Sequence, residues 1–171
     1  MGNTQSIRIR EAVEADAEAV ARVLFEAIHG SASQYYSSEV IASWARLPDE
    51  PRCTQIRRAI VGTDELCLVA EHADEVVGYG SIVPSLGELR AVYVRPDFGR
   101  RGVGGAILHD LERMAVARGL SELHMDASLN AEVFYLGHGY EVIGRGEHRL
   151  ANGPQMACVK MRKALPERER Q

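Results

Sequence analysis

A chain of 171 residues is long enough for one well-packed core and short for two, so every bound group must share a single domain. Hydrophobic residues make up 46% and charged residues 26%, with no apolar run near the roughly 20 residues of a membrane helix, which excludes a transmembrane helix and argues for a soluble globular domain. The formal net charge of -4 gives no general electrostatic drive toward nucleic acid, so no nucleic-acid partner is expected.

In chain order, MGNTQS matches a short N-myristoylation pattern through Gly2 and Ser6. So short a pattern arises easily by chance and nothing polybasic lies near it, so no membrane anchoring is expected. SIRIREA (6–12) alternates Ile7 and Ile9 with arginines, the signature of a half-buried strand. Ala17, Val20, Ala21, Leu24, Phe25 and Ile28 then recur at helical spacing, with Asp16 as the expected N-cap and Gly30 as the stop. After the irregular SASQYY, Ser37 or Ser38 caps a second helix carrying Val40, Ile41 and Trp44, and Pro51 opens a third that ends near Gly62. ELCLVAEH and EVVGYGSIVP, separated by Ala73-Asp74, read as an antiparallel hairpin, and ELRAVYV (88–94) as another strand. A glycine-rich turn leads into a helix with Val103, Ile107, Leu108 and Leu111 on one face, closing at Gly119. SELHMDAS supplies a strand, NAEVFYLGH a short helix ending at Gly139, and the segments around YEVIGRGEHRL and QMACVKMRK complete the sheet. The order predicts an α/β (α+β) mixed sheet in one domain over 1–165, with at least one parallel step across the helix after the glycine turn. The tail 166–171 has nothing apolar to bury and is expected to be disordered.

Cys53, Cys67 and Cys158 are odd in number and far apart, which argues against a disulfide framework and for a reducing cytoplasm. The six histidines show no H-x-x-x-H spacing, so no metal is expected.

The turn GRRGVGG (99–105) concentrates backbone N–H groups from Arg100 to Gly105 at a helix N-terminus, where unpaired donors and the helix dipole favour an anion. A Walker loop is ruled out because Gly105 and Ala106 stand where Lys and Ser/Thr are needed. A dinucleotide fingerprint fails because Ile107 stands in place of its third glycine.

The run L-x-x-V-x-V-x-P-x-x-x-x-R-R-G-x-G from Leu89 to Gly104 resembles the acyl-CoA signature of the GNAT superfamily of N-acyltransferases. Gly102 and Gly104 match its pyrophosphate motif, while Gly99 stands where glutamine or arginine is usual, with Arg100 and Arg101 as compensating cations. Asn130, Ala131, Phe134, Tyr135, Gly139 and Tyr140 resemble the family's later block. The resemblance implies a GNAT fold, a central, mostly antiparallel twisted sheet splayed at the cofactor strand and flanked by helices. It implies acetyl-CoA as cosubstrate, with Val92, Tyr93 and Val94 along the pantetheine arm and Arg100, Arg101, Gly102, Val103, Gly104 and Gly105 around the pyrophosphate. Asn130, or Ser128 seven residues before Tyr135, would contact CoA; Asn130 alternatively caps the helix.

The activity so implied is transfer of acetyl to a primary amine of a small molecule or peptide, by direct attack in a ternary complex. The catalytic candidates are Tyr135, as proton donor to the CoA thiolate, and Glu88, as general base or else a solvated carboxylate, with His124 and Asp126 as alternative proton carriers. His29, Tyr35 and Tyr36 are the expected acceptor-site residues, with Trp44 more at home in the core or a hinge. A homodimer is compatible with the sequence. The alternatives are another acyl-CoA or acceptor, or an inactive CoA-binding regulatory module.

Overall fold

The computed structural model describes residues 6–151 and 153–167. Gly2, the candidate acylation site, and residues 168–171 of the expected disordered tail lie outside the described residues. Among the described residues seven strands form one sheet: β1 (Arg8–Glu11), β2 (Leu66–His72), β3 (Glu75–Val83), β4 (Glu88–Val94), β5 (Glu122–Ser128), β6 (Glu141–Arg149) and β7 (Gln155–Ala164), in spatial order β1-β2-β3-β4-β5-β7-β6. All neighbours are antiparallel except β4 and β5. The Ala73-Asp74 hairpin is as tight as its two-residue loop requires, with φ of +52° and +64°, the left-handed backbone that matches strand twist.

Among the described residues five α-helices pack on the sheet: α1 (Ala17–Ser31), α2 (Ser38–Trp44), α3 (Glu50–Val61), α4 (Val103–Ala117) and α5 (Glu132–Gly137). Both faces are buried at β2 and β3, whereas β5 and β7 bury alternate residues and β6 is largely exposed. On one face, Ile107, Leu108 and Leu111 of α4 pack with Leu68, Ile82, Leu89, Leu123 and Met161 of the strands. On the other, Val20 and Leu24 of α1 and Ile56 of α3 pack with Val69 and Tyr79. α4 lies so close to β3 that a Cβ at Gly78 would stand 2.8 Å from Ile107 Cδ1, so the glycines of EVVGYGSIV set the helix-to-sheet distance.

Two sequence expectations at α1 change. Asp16 does not cap α1 with its side chain; it closes a 3-10 turn (Glu14–Asp16), accepting from the Val13 N–H at 2.8 Å and holding the Arg10 guanidinium. Gly30 does not stop the helix, which runs on to Ser31. A Cβ there would come within 2.5 Å of Pro96 Cγ, so Gly30 is the point where the turn after β4 presses on α1. Ser37 does cap α2, accepting from the Val40 N–H at 3.3 Å. At α3, Asp49 is the cap, with Pro51 inside the first turn.

Candidate active site

β4 carries an irregularity that decides the site. Ser81 and Ile82 are neighbours on β3, yet their partners on β4 are Ala91 and Leu89, so Arg90 is an extra, bulged residue. The bulge puts Leu89 and Val92, three apart, on the α4 side, and Ala91 and Tyr93 on the α1/α3 side. Beyond it β4 leaves β5: Glu88 and His124 are the one registered pair between the two strands. The β5-facing edge of β4 from Arg90 to Val94 therefore has no strand on it, and a cleft opens on each side of the wedge.

The first cleft, about 750 Å³, lies between the C-terminal end of α1, the free edge of β4, the start of α4, and α5. Val92, Tyr93, Val94, Arg100, Gly102, Val103, Gly104, Gly105 and Asn130 line it. Arg100 (φ +58°) and Gly102 (φ +78°) turn the chain sharply into α4. Ala106 is the first residue to donate back into the helix, to the Gly102 carbonyl at 3.0 Å, so the N–H groups of Val103, Gly104 and Gly105 have no intrahelical acceptor. A side chain at Gly102 would enter open space, whereas a Cβ at Gly104 would stand 3.3 Å from the Phe134 ring and one at Gly105 2.8 Å from His138 Nε2. The later two glycines thus also let α5 pack across the first turn of α4. Arg100 faces the cleft; Arg101 lies outside its lining with its guanidinium over Phe98, 5.0 Å from the ring centre. Neither arginine makes an ion pair among the described residues.

Asn130 Oδ1 is buried in this cleft with no hydrogen-bond partner. A buried orphan acceptor awaits a donor. Together with a free strand edge, a helix N-terminus and one cation, it fits an amide-bearing arm that ends in phosphates, which is the chemistry of CoA.

The second cleft, about 650 Å³, opens on the other side and is lined by Glu88, Arg90, His124, Asp126, His148, Cys158 and Lys160, among others. Arg90 Nε and Nη2 each lie 3.3 Å from a Glu88 carboxylate oxygen, and Arg90 Nη1 lies 3.5 Å from Glu65 Oε2. His124 Nε2 donates to the Leu86 carbonyl at 2.8 Å. Asp126 is held by Lys160 Nζ at 3.0 Å and His148 Nδ1 at 3.2 Å. Burial pushes the Asp126 carboxyl up, but Lys160 and His148 outweigh it and leave the group below the ordinary aspartate range. Six residues, Trp44, Val92, Tyr93, Ser128, Ala131 and Tyr135, line both clefts. Tyr135 is only 6% exposed, and burial, with a smaller effect from Tyr93, pushes its phenol up, so it stays protonated. Among the described residues no group of three or more His, Cys, Asp or Glu side chains converges as a metal site.

Residues 32–165 match the model of the acetyltransferase (GNAT) domain. The chain belongs to the GNAT acetyltransferase family. It is 27% identical over 138 residues to the uncharacterized N-acetyltransferase YafP of Escherichia coli, covering 81% of this chain and 83% of that one. It is 26% identical over 144 residues to the spermidine N(1)-acetyltransferase of Thermoplasma acidophilum, covering 80% and 89%. Among solved structures, a GCN5-related N-acetyltransferase from Rhodopseudomonas palustris superposes with a TM-score of 0.85 at 29% identity, covering 96% of this chain and 99% of that one. The PaiA N-acetyltransferase of Thermoplasma acidophilum, solved in complex with coenzyme A, shares the fold with a TM-score of 0.74 at 23% identity, covering 93% and 99%.

In this GNAT acetyltransferase, the residues expected at the acceptor site fall differently from those expected at the cofactor. His29 is exposed, stacked on Phe25 and bonded through Nδ1 to the Phe25 carbonyl at 3.0 Å. Tyr35 is 54% exposed, and neither residue lines a cleft. The Tyr36 hydroxyl is used twice, donating to the Ala157 carbonyl at 2.6 Å and accepting from the Leu129 N–H at 2.8 Å, so it latches the α1–α2 connection onto β7 and the turn after β5. Trp44, read from sequence as core or hinge, does pack against two apolar clusters with Tyr36 and Tyr93 beside it, and it also lines both clefts. His148, Cys158 and Lys160 carry no sequence signal at all; the β6-β7-β5 register alone brings them to the second cleft.

Proposed function

We propose that this GNAT acetyltransferase transfers acetyl from acetyl-CoA to a primary amine that attacks the thioester directly while both are bound. The observation that carries this reading is the position of Tyr135, which faces the cofactor cleft and the acceptor cleft at once. The N–C bond forms as the C–S bond breaks. The ammonium first gives one proton to Glu88, directly or through water; after the free amine attacks, the departing thiolate takes a proton from the Tyr135 hydroxyl, and the second proton shed by nitrogen returns through water to restore that phenol. A phenol pushed up by burial is a weak acid in water, but a thiolate leaving into the same dry wedge gains proton affinity for the same reason. Asp126 is held below its ordinary range by Lys160 and His148, which weakens it as a proton acceptor. Backbone groups of Val92 and Val94 on the free edge of β4 would hold the pantetheine arm as an added strand. Arg100 and the N–H groups of Val103 to Gly105 would hold the pyrophosphate.

Direct attack is favoured over an acyl-enzyme by Cys158, the thiol of the acceptor cleft. Burial, with Asp126 adding to it, pushes that thiol up and keeps it protonated, which removes its nucleophilic form. Cys53, Cys67 and Cys158 are all free and buried. The deciding experiment is thiol release from acetyl-CoA against amino acids, polyamines, aminoglycosides and peptides, alongside thermal stabilisation by acetyl-CoA. Stabilisation without turnover for any amine would replace the enzyme reading with a CoA-binding module.

A further inference from the structure

A hollow of about 230 Å³ adjoins the acceptor cleft between α1, α3 and β3, and Trp44, Arg90, Ala91 and Tyr93 line both. Arg52 lines the hollow and contributes an unbalanced charge. Its Nη1 donates to Gln55 Oε1 at 2.9 Å, and Arg46 Nη1 reaches the same oxygen at 3.4 Å. Two guanidinium groups therefore share one neutral acceptor, and neither forms an ion pair with a carboxylate among the described residues. Asp49, three positions before Arg52, has its Oδ1 engaged in capping α3, accepting from the Arg52 backbone N–H at 3.0 Å. Arg90, by contrast, is balanced by Glu65 and Glu88.

A half-buried cation beside a second cation, with only an amide for company, is held at a cost that a bound anion would relieve. Burial pushes the Arg52 pKa below its ordinary value and Arg46 adds to the drop, so both effects run against the charge. The fork of a guanidinium matches a carboxylate bidentately, and the aromatic walls given by Trp44, Tyr79 and Tyr93 would exclude water from the pair.

We propose that the acceptor is zwitterionic, an amino acid or a similarly short amine bearing an acid, with its carboxylate on Arg52 in the hollow and its amine in the cleft that Glu88 and Tyr135 line. This rests on the acetyl-transfer reading above. Glu65 also lines the hollow, but its two oxygens accept from Ser81 Oγ and Arg90 Nη1, so Arg52 and Arg46 are left there without a carboxylate partner among the described residues, while in the adjoining cleft Glu88 lies beside Arg90. A polyamine would instead bring further positive charge against Arg52 and Arg46.

The test compares amino acids with the amines made by removing their carboxylates, in the thiol-release assay, for the unmodified protein, Arg52→Gln and Arg52→Lys. The expected result is a kcat/KM at least about 10-fold higher for an amino acid than for its decarboxylated partner, the range of a charge-assisted bidentate contact. In Arg52→Gln that preference disappears through KM, with kcat and the decarboxylated amine little changed, and Arg52→Lys falls between. Calorimetry with N-acetyl amino acids gives a readout that needs no turnover: binding to the unmodified protein, lost in Arg52→Gln whose melting temperature is not lowered. If no amine is acetylated, the acetyl-transfer reading fails and the calorimetry alone decides the carboxylate site. The proposal is overturned by a decarboxylated amine that serves as well as its amino acid, by an unaltered preference in Arg52→Gln, or by N-acetyl amino acids that bind neither protein or both equally.

Discussion

Glu88 and His124 are the single residue pair in register between β4 and β5, and past them the two strands diverge around the wedge that holds Tyr135. Glu88 is therefore fixed at the apex, where the backbone is still paired, while its carboxylate lies in the second cleft beside Arg90. A primary amine with a pKa near 10.4 is unprotonated in only on the order of one molecule in a thousand at neutral pH, so a proton acceptor at the apex has a large effect. Glu88→Gln is expected to lower kcat/KM at pH 7 by about 100-fold. The loss should shrink as pH rises through 9 and 10, because the free amine then supplies itself and no acceptor is needed. A pH–rate profile parallel to that of the unmodified enzyme would remove Glu88 from the proton path.

Tyr135→Phe keeps the ring that packs against Phe134 and Tyr140 and removes only the hydroxyl. The expected result is a kcat lower by about 100-fold with acetyl-CoA affinity within about two-fold, since the donor acts on the thiolate that exists only late in the reaction. Because burial raises this phenol, its own ionisation should not cut the rate below pH 10. An unchanged kcat would leave Tyr135 as packing alone.

The two adjacent arginines differ in position, and so should their variants. Arg100 faces the first cleft and Arg101 stacks on Phe98. Arg100→Gln is expected to weaken acetyl-CoA binding by about 10-fold, with a smaller salt dependence, and to leave binding of a phosphate-free pantetheine fragment unchanged. Arg101→Gln should change either by no more than about two-fold. Equal effects of Arg100→Gln on CoA and on the fragment would argue that no phosphate lies there.

The parts of this architecture that could be read from sequence are those encoded within a few residues. The alternation of ELRAVYV, the glycines of GRRGVGG and the helical spacing from Val103 onward are local signals, and β4, the turn and α4 follow them. The bulge at Arg90 leaves no local trace, because it is a mismatch of register with β3. Gly30 reads as a stop by the same rule that correctly places Gly119 beyond α4, yet its neighbour in space is Pro96, 66 residues away. The residues expected at the acceptor site suffer most. Tyr36 bonds to groups 93 and 121 positions off, and His148 meets Asp126 across β7, so no window of sequence distinguishes a latch from a ligand there. Arg52 and Arg46 look like ordinary surface charge on and beside α3 until the absence of a carboxylate partner among the described residues is seen in three dimensions.

Tyr36 gives a direct contrast between those two roles. Tyr36→Phe leaves the Leu129 N–H without its acceptor and the Ala157 carbonyl without its donor, and is expected to cost about 1–2 kcal/mol of stability. The measurement is urea unfolding together with kinetics across several acceptors. A latch predicts a similar modest change in KM for every acceptor, whereas a drop confined to one acceptor with unchanged stability would return Tyr36 to substrate binding.

Acid sensitivity should trace to Asp16, far from the chemistry. Its two oxygens accept from Arg10 Nη1 at 2.7 Å and Nη2 at 2.9 Å, and Oδ2 also accepts from the Val13 N–H at 2.8 Å. Burial alone would raise this carboxyl, but the Arg10 and Val13 hydrogen bonds outweigh it and hold the group below its ordinary value. The unfolded chain, with a carboxyl near 3.9, then binds the proton first as pH falls. The stabilisation is complete above that value and is lost as pH drops through it toward the lower folded pKa. Asp16→Asn is expected to cost roughly 2–3 kcal/mol at pH 7, because Arg10 keeps Glu71 but loses its bidentate partner. Unfolding free energies at pH 7, 5, 4 and 3 should therefore fall more steeply for the unmodified protein than for the variant, and the gap between them should narrow toward pH 3. Parallel curves would mean that Asp16 contributes shape and not charge.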